Sequence, residues 1–253
     1  RRQRQMCIRD SFRMLKSQLD KVTKSNGRVM LTGPAGAGKE IAARYIHANS
    51  NRASAPFITV NSASIEPDRM EEVLFGREIA GRGIEHGLLE EANGGVVYFD
   101  EIADMPLGTQ SKILRVLVDQ RFQRVGGTDK VQVDLRVVSS TNRDLPSAIA
   151  AGTFREELFH RLNVVPIAVP SLEERREDIP LLAEHFIAVF NKAQGLPLRH
   201  LADDARALLQ TMLWPGNVRQ LKNVVERVLI LGENTGDISS KELPSIEEGG
   251  GEE

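Results

Sequence analysis

Five short apolar runs, separated by stretches whose apolar residues recur every three or four positions, set the pattern of this chain. The runs are RVMLTG around Val29, FITVN from Phe57, GVVYFDE from Gly95, DLRVVSST from Asp134 and VVPIAV from Val164. Each is short and apolar, as strands buried on both faces must be. Between them Glu40–Ala48, Met70–Leu74 and Gln110–Gln120 read as helices, and in the last Ile113, Leu114, Leu117 and Val118 form one apolar face. This alternation predicts an α/β fold on a parallel sheet sandwiched by helices. After Pro170 the strands stop. REDIPLLAEHFIAVFNKAQG, ADDARALLQTM and NVRQLKNVVERVLIL read as amphipathic helices, the last preceded by WPG with Asn217 placed as its N-cap. They predict a small all-α unit from about Glu173 to Leu231. From Gly232 the sequence GENTGDISSKELPSIEEGGGEE loses periodicity and reads as a linker. The expected divisions are an N-terminal flank over 1–27, an α/β subdomain over 28–172, a helical lid over 173–240 and a tail over 241–253.

Composition narrows this picture only a little. With 253 residues and a net charge of −2, the chain has length for a sizeable core and no global basic field. Nucleic-acid binding by these residues would need a local patch, and none stands out. Arg1, Arg2 and Arg4 read as a solvated linker end. The single cysteine, Cys7, cannot form an internal disulfide, which fits a reducing cytoplasm. No signal peptide and no apolar run long enough for a bilayer is visible, so no membrane partner is expected. An Arg at the start and EEGGGEE at the end suggest a piece of a longer protein.

Chemistry enters with MLTGPAGAGKEIAARYIHANS, which runs from Met30 to Ser50. Gly33, Pro34, Ala35, Gly36, Ala37, Gly38 and Lys39 match G-x-x-x-x-G-K after a strand and before a helix. In such a loop glycines let backbone N–H groups face phosphate oxygens, and the lysine reaches the β- and γ-phosphates. The alternative is a structural glycine turn. Glu40, followed by Ile41, stands where a Ser or Thr would hold Mg²⁺. A second element, GGVVYFDEIADMP, ends an apolar strand on Asp100 and Glu101. An aspartate there can hold Mg²⁺ through water while its neighbour polarises the attacking water; the alternative is a solvated acidic turn.

These motifs, with FQRVGG, TNRDL, FREELFHRLNVVPI, ERREDIPLL and WPGNVRQLKN, resemble the AAA+ central domain of bacterial enhancer-binding proteins, the sigma-54-dependent transcription activators. The resemblance runs from about Ile8 to Leu243, and in that family the loop ordinarily ends in Gly-Lys-Glu, as Gly38-Lys39-Glu40 does here. It implies an ATP and Mg²⁺ site and assigns roles residue by residue. Asn142 matches sensor I, Asn61 the switch asparagine that restrains the catalytic Glu101, and Arg219 sensor II. Arg155 and Arg161 match arginine fingers supplied by a neighbouring copy, though by spacing alone they could pair with Glu156 and Glu157. Ile8, in IRDS, matches the start of an adenine-lining segment, with Arg9 in place of the usual glycine.

One family motif is missing. Where Gly-Ala-Phe-Thr-Gly-Ala would follow LFG, the chain reads LFGREIAGRGIEHGLLEEANGG, which argues against a sigma-54 contact. Gly81, Gly83 and Gly87 suggest a flexible connection there, with Ile79 and Ile84 as its apolar residues. This feature and PAGAG are most similar to NtrX-type response regulators. That likeness implies a receiver domain and sensor kinase upstream, and DNA binding through a C-terminal domain outside these residues. The expected function is an ATP-binding and ATP-hydrolysing domain of a bacterial two-component transcription regulator, active at interfaces between copies. The alternative is a nucleotide-binding oligomerisation module that hydrolyses little.

Overall fold

A computed structural model of the chain describes residues 14–244. They divide into two compact units, one of Lys16–Gly33 with Lys39–Ala168, the other gathering Pro34–Gly38 with the chain from Val169 onward.

In the first unit helix α1, described over 14–23, precedes β1 (Val29–Thr32), α2 (Lys39–Ala48) and β2 (Phe57–Asn61). There follow α3 (Met70–Phe75), a hairpin of β3 (Arg77–Ile79) and β4 (Gly83–Glu85), α4 (Leu88–Glu91) and β5 (Val96–Asp100). Next come α5 (Leu107–Asp119), a second hairpin of β6 (Arg121–Gln123) and β7 (Lys130–Gln132), β8 (Arg136–Thr141), α6 (Leu145–Ala150), α7 (Glu156–Leu162) and β9 (Val165–Ala168). The five expected strands form one sheet in the order β2-β5-β8-β1-β9, with every pair parallel. Central β5 and β8 are buried almost throughout, which is why they read as continuous apolar or small-residue runs. Met30, Val60, Val97 and Phe99 pack with Leu74, Phe75, Ile113 and Leu158 in the core of this unit.

One expected face shifts. Helix α5 buries Ile113, Val116 and Leu117, whereas Val118 is 51% exposed. At 100° per residue, Val118 lies about 140° round the helix from Ile113, so the apolar run VLV could not all face inward.

In the second unit α8 (Ile179–Gln194), α9 (Asp203–Thr211) and α10 (Asn217–Leu231) enclose Trp214, whose indole N–H donates to the Leu209 carbonyl at 2.9 Å. Pro180 sits in the first turn of α8, and Gly195 in the left-handed region (φ 68°) closes it. Two expectations change here. Asn217 is not the cap: α10 is entered from Gly216, and Asn217 itself has φ 50° and is buried. Its amide oxygen accepts from the Leu172 N–H at 2.9 Å, and its Nδ2 donates to the Ala35 carbonyl at 3.2 Å. The stretch from Gly232 is likewise no linker as far as Leu243. Ile238 is 2% exposed and bridges to Leu201, and Ser239 with Glu242 closes a capping box. Buried Arg199 donates to Glu242 at 2.7 and 2.9 Å and to the Gly236 carbonyl at 2.9 Å. Such ties are made by single side chains and leave no periodic trace.

Arg199, with two backbone N–H groups, holds the Glu242 carboxyl down at about 2, against an ordinary 4.5. A depressed carboxylate stabilises the fold above its unfolded value, and that contribution is lost as pH falls through the folded value. Wild-type protein should therefore exceed Glu242→Gln in urea midpoint at neutral pH. The two should converge between pH 4.5 and about 2. A gap independent of pH would show that the charge contributes nothing.

Candidate functional site

The carboxyl ends of the parallel strands, where open α/β sheets bind ligands, gather four of the residues expected from sequence. Parallel pairing of β2 with β5 sets Asn61 opposite Asp100, and β8 lies on the other side of β5. Glu101 follows in the left-handed region at φ 52°, an uncommon conformation for a non-glycine residue that turns the chain sharply off the strand. Its two carboxylate oxygens are separately held. Oε1 accepts from the Thr141 hydroxyl at 2.8 Å and Oε2 from the Asn142 backbone N–H at 2.9 Å. Beside it, the Tyr98 hydroxyl donates to Ser140 Oγ at 2.8 Å, which donates to Asp100 Oδ1 at 3.3 Å. Burial holds the Tyr98 hydroxyl well above the usual tyrosine range, so it remains a donor.

Asn61 and Asn142 make contacts that the resemblance did not specify. Asn61 Oδ1 accepts from the Ala63 N–H at 3.2 Å, and among the described residues no hydrogen bond joins Asn61 to Glu101. Asn142 engages Glu101 through its backbone while its side chain is exposed. Thr141, which anchors Glu101, was not singled out from sequence. Its signal was the SST hydroxyl run just before Asn142.

Lys39 is buried, with Nζ donating to the Gly33 carbonyl at 2.6 Å. The Glu40 carboxylate pairs with Arg44 at 3.2 Å, one turn on, and Ile41 is half exposed. Arg155 and Arg161 are both exposed, before and in the last turn of α7. The Arg155 side chain donates to the Leu107 carbonyl at 3.0 Å. Among the described residues neither arginine forms an ion pair with Glu156 or Glu157; Glu156 meets His160 instead, at 3.5 Å. The Arg161 carbonyl accepts from Arg28, whose guanidinium burial and Arg161 press below the usual arginine range.

The rest of the phosphate-loop motif belongs to the helical unit. Gly36 (φ 74°) and Gly38 (φ 102°) take conformations closed to most side chains, and the Ala37 N–H donates to the Pro34 carbonyl at 3.2 Å. Three successive carbonyls are bonded. Ala35 accepts from Asn217 at 3.2 Å, Gly36 from the Arg219 N–H at 3.2 Å, and Ala37 from Arg175 Nη2 at 2.6 Å. The Arg219 side chain is exposed. Ile8 and its IRDS segment lie outside the described residues. A cavity of about 720 Å³ lined by Phe75, Arg115, Arg121 and Lys130 holds none of these residues.

Mg²⁺ keeps several waters and takes one or two carboxylates plus phosphate oxygens. Asp100, adjacent to Glu101 at the strand end, suits that demand, and Glu40 is already engaged by Arg44.

A family model described as the sigma-54 interaction domain matches residues 6–168, and one described as the AAA+ ATPase lid domain matches 173–250. The chain belongs to the sigma-54 interaction domain family. It is 52% identical over 236 residues to the nitrogen assimilation regulatory protein NtrX of Azorhizobium caulinodans, covering 92% of this chain and 52% of that one. It is 40% identical over 242 residues to the transcriptional regulator NtrC of Klebsiella pneumoniae, covering 94% and 50%. The chain thus spans about half the length of these relatives. The crystal structure of NtrX from Brucella abortus in complex with ATP superimposes with a TM-score of 0.81 at 52% identity, over 93% of this chain and 55% of that one. The sigma-54 interaction domain here is an AAA+ P-loop fold followed by a helical lid.

Where this family's loop motif would stand, the structure has the β3–β4 hairpin rather than a loose connection. Glu78 pairs with Ile84 in register, and the Arg82 N–H closes the turn onto the Ile79 carbonyl at 2.9 Å. Arg77 grips Glu85 at 2.6 Å, while Arg124 ties Glu78 and Glu90 at 3.0 and 2.7 Å. Gly81 (φ 78°) and Gly83 (φ 97°) supply the turn. Gly87 serves close approach, since a Cβ there would meet the Leu74 carbonyl at 2.4 Å. Ile84 is 53% exposed.

A Cβ on Gly36 would lie 2.4 Å from the Gly216 carbonyl. Gly36→Ala should therefore destabilise the chain by about 1–3 kcal/mol through backbone strain and this clash. Thermal unfolding measures it, and an unchanged midpoint would refute the close packing of loop against lid.

Proposed function

We propose that this domain binds ATP with Mg²⁺ and hydrolyses it at interfaces between copies of itself, as the motor of a bacterial two-component transcription regulator. The observation that carries the reading is Glu101, its carboxylate gripped at both oxygens next to Asp100 at the mouth of the sheet. A carboxylate so oriented can accept a proton from water while keeping a fixed direction. The ATP-bound NtrX of Brucella abortus, at 52% identity, supports nucleotide binding.

Each residue then has a task. Lys39 neutralises the terminal phosphates, and Asp100 would hold Mg²⁺, which supplies charge stabilisation on the transferring phosphoryl group. The Arg155 and Arg161 guanidiniums, exposed and without carboxylate partners among the described residues, are available to a neighbouring copy. Asn142 and Arg219 would report the nucleotide's state to the domain. DNA contacts and the receiver belong to the parts of such regulators beyond this chain. The hairpin supports a second reading, in which nucleotide drives assembly but no sigma-54 remodelling, because it lacks the family's aromatic tip.

Lys39→Ala should weaken ATP binding about 30-fold by calorimetric titration, through loss of a charge-assisted bond. Glu101→Gln should bind normally and turn over about a hundredfold more slowly. Equal turnover in Glu101→Gln would leave the acid merely structural.

Specific activity should rise with protein concentration, and Arg161→Ala should lose about 10³-fold in turnover while binding ATP. Mixing it with Glu101→Gln should restore part of the activity, since some interfaces then hold both intact residues. Mixtures that co-assemble without recovery would count against a shared site.

The hairpin generates the third test. With an ATP transition-state mimic, the domain should not shift sigma-54 holoenzyme in a native gel. A nucleotide-dependent complex abolished by Ile84→Ala would overturn that expectation and make the hairpin a working contact loop.

A further inference from the structure

The three bonded carbonyls of the phosphate loop point to a role for a residue outside both the loop and the Asp100–Glu101 strand. In a planar trans peptide the C=O and the following N–H point in opposite directions. Fixing the carbonyls of Ala35 and Ala37 on the lid therefore aims the N–H groups of Gly36 and Gly38 away from it. Among the described residues no protein acceptor meets either N–H. Arg175 makes the shortest of these bonds, 2.6 Å, from a side chain only 4% exposed. Its backbone leaves helical geometry at φ −136°, ψ 45°, in the segment between Leu172 and Asp178. Among the described residues its Nε has no partner, and neither does buried Asp178 Oδ2. A buried guanidinium is costly unless its hydrogen bonds are worth more than its lost hydration, and among the described residues its hydrogen bond ends on the phosphate loop.

We propose that Arg175, assisted by Asn217, is a positioning residue that sets the direction of the loop's N–H groups toward nucleotide phosphate. This rests on the nucleotide-binding reading above. Arg175 touches no phosphate itself; it acts through the Ala37 peptide. Its effect should therefore follow the phosphates that the loop N–H groups hold, and not the base or ribose.

The test compares ATP, ADP and AMP binding to the full chain by displacement of a fluorescent ATP analogue. Arg175→Met should weaken ATP and ADP about tenfold, the loss of one well-placed charged bond, and AMP less than twofold. Arg175→Lys, which can still donate to Ala37, should recover part of the loss. A uniform fall across all three nucleotides, or affinities equal to wild type, would overturn the proposal. Wild-type protein that binds none of them would instead remove the nucleotide reading itself, and this inference with it. Should Arg175→Met fail to fold, Asn217→Asp carries the same comparison: it still accepts from Leu172 but cannot donate to Ala35. It should show the same selective loss, and its absence would again overturn the proposal.

Discussion

The register between β5 and β8 is the constraint on which the rest of the site depends. With Tyr98 opposite Val138 and Phe99 opposite Ser139, the two strand ends bring Ser140 to Asp100, and Thr141 and Asn142 to Glu101. Strand side chains alternate faces, so a slip of one residue would turn every hydroxyl to the opposite side of the sheet. The apolar core prevents the slip, because Val97, Phe99 and Val137 would have to exchange faces too. The stability of the sheet and the aim of the acid pair are one interaction seen twice. A polar tail on an otherwise buried strand is the consequence: Ser139, Ser140 and Thr141 are at most 1% exposed. Two of these hydroxyls are answered by carboxylates. Among the described residues Ser139 Oγ has no partner.

What could be read from the sequence divides along the same line. The phosphate-loop motif and the Asp100–Glu101 pair are local, since each consists of residues adjacent in sequence whose flanking runs announce strand and helix. The five strands and the three lid helices were legible for that reason. Thr141 was not, because its role exists only once β8 is laid beside β5. Asn217 misled because a residue that suits a helix cap also suits any site needing one donor and one acceptor, and the left-handed backbone it tolerates put it to that use. The segment through Leu243 was missed because Arg199 and Glu242 hold it without any repeating pattern. In the hairpin, glycines that read as freedom prove to be the residues a tight turn and a close backbone approach require.

The phosphate loop itself shows why motif chemistry and fold cannot be separated. On the nucleotide-binding reading Gly36 leaves its N–H approachable to phosphate, and the lid needs a glycine there because the Gly216 carbonyl leaves no room for a side chain. Its carbonyl and its neighbours' are held by Arg175, Asn217 and the start of α10, elements more than a hundred residues later in sequence. Whatever binds those loop N–H groups therefore acts on a segment already packed into the helical unit. By linkage, a ligand that prefers this loop conformation stabilises the unit that maintains it. If that ligand is the nucleotide proposed above, its state would reach the helices without a separate relay, because the carbonyls of Ala35, Gly36 and Ala37 are already bonded to them.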